Sequence, residues 1–65
     1  MKIEYDKDAD ALYISLIEGK VKETVKVAEN VLVDLGEDGK VIGIEILWVS
    51  ERISIEDIKK MEVTG

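Results

Sequence analysis

A chain of 65 residues with a net charge of −6, no cysteine and no histidine excludes much before any pattern is read. Disulfides, Cys/His zinc sites, catalytic triads, thiolate chemistry and imidazole acid–base catalysis all lack their residues. Nine basic against fifteen acidic residues argue against nucleic-acid binding, whose affinity comes mainly from cations on phosphates, and favour a cationic partner.

In chain order, residues 2–5 alternate polar and apolar, with Ile3 and Tyr5 on one side, and predict a first strand. Asp6-Lys7-Asp8-Ala9-Asp10 follows as a connection, because Asp side chains bond nearby backbone amides and suit turns. Residues 11–17 predict a second strand, with Leu12, Ile14 and Leu16 on one face and Ala11, Tyr13, Ser15 and Ile17 on the other. Glu18-Gly19-Lys20 is a tight turn. Residues 21–28 predict a third strand, with Val21, Val25 and Val27 inward, Lys22 and Lys26 outward, and Glu23 polar in the inward phase. Glu29-Asn30 turns the chain again, Asn tolerating left-handed geometry. Residues 31–35 form a fourth strand, and Gly36-Glu37-Asp38-Gly39 is the clearest hairpin signal in the chain. Residues 40–49 form the last strand; it is apolar on both faces, with Glu45 as the exception at its middle.

The period then changes. Ser54 reads as an N-cap and Glu56 and Asp57 suit the start of a helix dipole, so a helix is predicted over residues 55–62. Ile55, Ile58, Met61 and Glu62 fall on one stripe, and Lys59 and Lys60 sit near the end. So short a helix is marginal alone and must dock on the sheet, its own or a partner's. The expected fold is α+β: a single domain, residues 1–65, of five antiparallel strands in a meander with one short C-terminal helix.

The phases divide the sheet. Ile3, Tyr5, Leu12, Ile14, Leu16, Val25, Val27, Val33, Leu35, Ile44 and Ile46 make the expected core face. Tyr13, Ser15, Leu32, Asp34, Glu45, Leu47 and Val49 make a mixed second face, of the kind a dimer or a partner covers. A chain this small has little core of its own, and self-association is the remaining route to stability; a homodimer is expected.

Few residues carry chemistry. The alternating aspartates of residues 6–10 open like a calcium loop, but Ala11 stands where its glycine belongs and Ile17 where its bidentate glutamate belongs. Asp34 and Glu45 lie out of phase with the core on strands joined by one hairpin. As diagonal neighbours they would come within about 8 Å, near enough to bind a divalent cation or share a proton. Against that stands the plain alternative that each accepts hydrogen bonds or pairs with Tyr13, Ser15, Lys26 or Arg52. Trp48 either anchors a partner or packs under the helix.

Lys2-Ile3-x-Tyr5-Asp6-x-x-x-Asp10-Ala11-Leu12-Tyr13-Ile14 resembles the opening of a widespread small prokaryotic family classed as a domain of unknown function. Val33-Asp34, the Asp38-Gly39 turn and Val41-x-Gly43-Ile44-Glu45-Ile46-Leu47 resemble that family's second signature, so the likeness spans residues 2 to about 53. It implies a standalone domain without established activity. Neighbouring small toxin-like proteins in some relatives suggest an antitoxin or partner-neutralising role. Trp48 departs from the pattern, where relatives carry something smaller, and the helix from Ser54 onward lies outside it.

The expected function is a non-catalytic, homodimeric interaction module, neutralising a small basic protein. Its candidate surface residues are Tyr13, Asp34, Glu45, Leu47 and Trp48. The alternative is a divalent-metal-dependent enzyme or metal-binding domain built on Asp34 and Glu45. No cofactor, nucleic acid or membrane partner is expected: no stretch nears the roughly 18 apolar residues of a membrane span. Met1-Lys2-Ile3-Glu4-Tyr5-Asp6 lacks a signal peptide's basic-then-apolar order, so the expected location is the cytoplasm. High charge with no glutamine and one asparagine, Asn30, gives a thermophile-like composition.

Overall fold

The computed structural model describes residues 1–61. It contains five strands, β1 (Lys2–Asp6), β2 (Ala11–Ser15), β3 (Glu23–Ala28), β4 (Val31–Leu35) and β5 (Val41–Leu47). A single 3-10 turn (Val49–Glu51) and a short helix, α1 (Ile55–Met61), follow. All strand pairs are antiparallel, and the expected sheet with one C-terminal helix is what forms.

The strand order is β1-β2-β5-β4-β3, so the meander comes in two runs. The first is the β1–β2 hairpin and the second is β3–β4–β5; they join where β2 pairs with β5. Glu18-Gly19-Lys20 therefore does not close a hairpin. Strand β2 ends at Ser15, and β3, read as starting at residue 21, begins at Glu23 on the opposite edge of the sheet. Pairing two apolar strands, β2 and β5, buries more surface than pairing β2 with the lysine-bearing β3, and that outweighs the shorter connection.

The Asp38-Gly39 turn forms as read. Gly39 takes φ 81, its N–H bonds the Gly36 carbonyl at 3.0 Å, and the Asp38 carboxylate accepts the Lys40 N–H at 3.1 Å. Asn30 does not take the left-handed conformation. Among the described residues the non-glycine positions with positive φ are Asp10 and Trp48.

One apolar row crosses all five strands: Ile3, Ile14, Ile44, Val33 and Val25 face one another in register. Helix α1 docks over β1, at one end of this face. Ser54 caps it, its Oγ accepting the Asp57 N–H at 3.2 Å. Ile58 enters a core with Leu12 and Val49, against which Ile3, Tyr5, Ile14, Ile46 and Ile53 pack. Of the expected helix stripe, Ile58 is described and fully buried; Glu62 lies outside the described residues.

Several expected burial assignments change. Leu16 and Val21, both read as facing inward, lie outside the strands and, like Val25, are exposed. Val49, read as the last residue of β5 on the mixed face, lies beyond the strand in the 3-10 turn and is fully buried under the helix. Val27, read as inward, is 59% exposed because the β3–β4 register slips between Lys26 and Ala28.

Candidate functional site

The face away from α1 carries the polar cluster. Tyr13 stands opposite Glu45 across β2–β5, Asp34 opposite Gly43 across β5–β4, and Thr24 opposite Asp34 across β4–β3. The Tyr13 hydroxyl reaches over Gly43 and donates to Asp34 Oδ2 at 2.6 Å, while Thr24 donates to Asp34 Oδ1 at 2.6 Å. Gly43 is buried, and a Cβ there would lie 2.9 Å from Tyr13 Cζ and closer still to its hydroxyl. The glycine is what lets the tyrosine cross.

Asp34 and Glu45 do share this face, as diagonal neighbours across β4 and β5. Both Asp34 oxygens, however, already accept a short hydrogen bond. The hydrogen bond to Asp34 pushes the Tyr13 pKa up to about 12, with burial and the charges of Asp34 and Glu45 adding to it. Tyr13 is therefore a fixed donor at neutral pH, suited to neither base nor nucleophile work. Among the described residues no three Asp or Glu side chains converge into a metal-binding group.

A second cluster was not foreseen. Asp10, at φ 51, accepts the Tyr5 hydroxyl on Oδ1 at 2.7 Å and the Ser50 hydroxyl on Oδ2 at 2.7 Å. Its Oδ1 also takes the Ser50 N–H, and its carbonyl takes the Val49 N–H, both at 3.1 Å. Hydrogen bonds from Ser50 and then Tyr5 hold its carboxyl below the usual range, outweighing the opposing effect of burial. Asp6 meanwhile accepts the N–H groups of Asp8 and Ala9 at 3.0 and 3.2 Å, turning the β1–β2 connection. The aspartates of residues 6–10 thus shape a turn and clamp the segment after β5. The Tyr5 and Asp10 spacing was the visible signal; Ser50, forty residues on, gave none.

Trp48 sits directly before the clamped segment, at φ 52 and ψ 40, and is 50% exposed rather than packed under the helix. With Leu47, Glu29, Asn30, Glu51 and Arg52 it borders a small hollow of about 100 Å³. A larger shallow depression of about 490 Å³ lies beside Tyr13, Ser15 and Ile42. Leu47 is half-buried on the polar face opposite Ala11. The sheet brings Tyr13, Asp34 and Glu45 together; Trp48 stands apart at its corner. No helix among the described residues is long and apolar enough to cross a membrane.

Residues 2–50 match the profile of a family described as a protein of unknown function, DUF2283. The chain is also similar to the uncharacterized protein MJ0789 of Methanocaldococcus jannaschii, 36% identical over 56 residues. That match covers 86% of this chain and 47% of MJ0789, so the chain spans about half the length of the curated relative it matches. No solved structure shows a significant match. The family profile spans β1 to the Asp10 clamp on Ser50, and takes in both the Tyr5–Asp10 and Tyr13–Asp34 pairs. The chain belongs to the DUF2283 family.

Proposed function

We propose that this chain is a non-catalytic, homodimeric interaction module of the cytoplasm that captures a small basic protein. The observation that carries the reading is an incomplete core. Five apolar residues are buried among those described, Ala11, Leu12, Ile42, Val49 and Ile58, while Ile17, Val21, Val25, Val27, Val41 and Trp48 are all exposed. A fold with this balance gains stability by covering apolar surface on another chain. The net charge of −6 sets the preferred sign of a heterologous partner. The polar side chains of the candidate site bond one another instead of facing a deep pocket, which supports a structural rather than catalytic use.

The test is affinity capture from native cells at low salt, followed by reconstitution from purified components. A single small basic protein in stoichiometric yield, released steeply as salt rises from about 50 to 500 mM, supports the reading. A complex indifferent to salt, or no partner at any ionic strength, counts against capture of a basic protein.

A further inference from the structure

We infer that the second copy seats on the helix-side face of β5, β4 and β3, the part of that face that α1 leaves bare. This deepens the homodimer reading and rests on it.

The core cluster under α1 stops at Ile14 and Ile46. Beyond it the same face continues through Ile44 and Val41 on β5, Val31, Val33 and Leu35 on β4, and Val25 on β3. None of these six is fully buried, and Val25 and Val41 are 37% and 40% exposed. At the paired positions of this face the one charged residue is Glu23, at the end of β3. The opposite face carries Lys2, Glu4, Asp6, Lys26, Asp34 and Glu45 at its paired positions. Two chains of net charge −6 repel. Of the two faces, the helix side lets them meet with few charges between them.

The area fits one more copy. The chain exposes 4771 Å², against about 4,200 Å² expected for a folded monomer of its mass. That excess of roughly 600 Å² approaches the ~800 Å² each partner loses in a standard interface. Its radius of gyration is 12.0 Å, against about 10.7 Å for a compact domain of this length. Apolar surface left bare on the folded chain favours the partner always at hand, another copy.

The helix fixes the overlap. Packed sheets lie about 10 Å apart, and a docked helix stands at a similar height, so α1 and the partner's sheet occupy the same layer. The sheets can then overlap only beyond α1, from β5 to β3. Two-fold symmetry places each helix beside the other copy's open β3 edge, which would otherwise invite further strand pairing.

Because the chain has no cysteine, single-cysteine variants read this directly. Val25→Cys, on the bare face, and Lys26→Cys, on the opposite face, are labelled with a thiol reagent across a dilution series, with mass measured by light scattering. The expected result is a dimer in which Val25→Cys is protected about tenfold or more and becomes reactive on dilution, while Lys26→Cys reacts throughout. Val33→Asp should raise the dimer dissociation constant by about 100-fold or more, and Leu47→Asp should not. A wild-type chain that stays monomeric at about 100 μM, far above the dissociation constants of stable dimers, overturns the homodimer reading and this inference with it. A dimer with both cysteines equally reactive, or one broken by Leu47→Asp alone, overturns the seat and leaves the homodimer standing.

Discussion

The Tyr13 hydroxyl bonds Asp34 at 2.6 Å across the one backbone position, Gly43, that lacks a side chain to block it. Three neighbouring strands are tied by this contact, β2 through Tyr13, β5 through Gly43 and β4 through Asp34. Gly43→Ala should therefore cost more than a surface strand substitution, about 2–3 kcal/mol, because the new methyl displaces the tyrosine ring and strands the carboxylate. Tyr13→Phe removes only the hydroxyl from a half-exposed site and should cost about 1 kcal/mol. Urea unfolding of both variants checks the order; equal losses would mean that the glycine does not serve the tyrosine.

The same bond predicts a pH window. The Tyr13 pKa rises from 10.0 to about 12 on folding, so the folded state holds this proton more tightly than the unfolded chain. The contribution is complete below pH 10 and is lost as pH rises from 10 towards 12. Thermal melts between those limits should show wild-type stability falling more steeply than that of Tyr13→Phe. Parallel curves would show that the bond does not favour the protonated tyrosine.

Local chemistry was legible and distant chemistry was not. The Asp38-Gly39 turn and the Ser54 cap form within a few residues of chain, and they stand where the sequence places them. Tyr13, Asp34 and Glu45 were visible as polar residues out of phase on apolar strands. That Asp34 bonds Tyr13 depended on register, which the glycine at position 43 sets in space. Val49 misled because an apolar β-branched residue continuing an apolar run reads as strand. The strand stops before it, since Trp48 turns left-handed and Asp10 pulls the next segment onto the core. The β2–β5 pairing was equally hidden, because the competing Glu18-Gly19-Lys20 turn is locally sound.

Asp10 supplies an acid-side counterpart. Hydrogen bonds from Ser50 and Tyr5 depress its pKa below 3.8, so its stabilisation is present above that value and is lost as pH falls through the folded pKa. Asp10→Asn tolerates the left-handed backbone at φ 51 but offers one carbonyl oxygen to three donors. It should melt lower than wild type at pH 7, with the gap closing as pH falls below 3.8 and through the depressed folded pKa. Ser50→Ala should reproduce part of the loss. A constant gap across pH would place the effect of the asparagine elsewhere than in the carboxylate.

Divalent cations test the alternative use of Asp34 and Glu45. Tyr13 and Thr24 each bond one Asp34 oxygen, so a cation would compete with two short hydrogen bonds for the charge of this carboxylate. Millimolar Mg²⁺, Mn²⁺ or Ca²⁺ should leave the melting temperature unchanged, whereas a site with a dissociation constant near 10 μM would add about 2.7 kcal/mol at 1 mM. A shift of that size, absent in Asp34→Asn, would establish a metal site.

Trp48 separates backbone strain from display. A non-glycine residue at φ 52 costs about 1–2 kcal/mol, and a side chain that is 50% exposed recovers only part of this by burial. Trp48→Ala removes the indole and keeps the strain, whereas Trp48→Gly removes both. The glycine variant should be the more stable of the two by about 0.5–1 kcal/mol, even after the greater freedom of its unfolded chain is counted. Far-UV circular dichroism in urea reads this without the indole, the chain's one tryptophan. If Trp48 also anchors the proposed basic partner, both variants should lose capture equally despite differing in stability. Capture that tracked stability instead would assign the indole no part in binding.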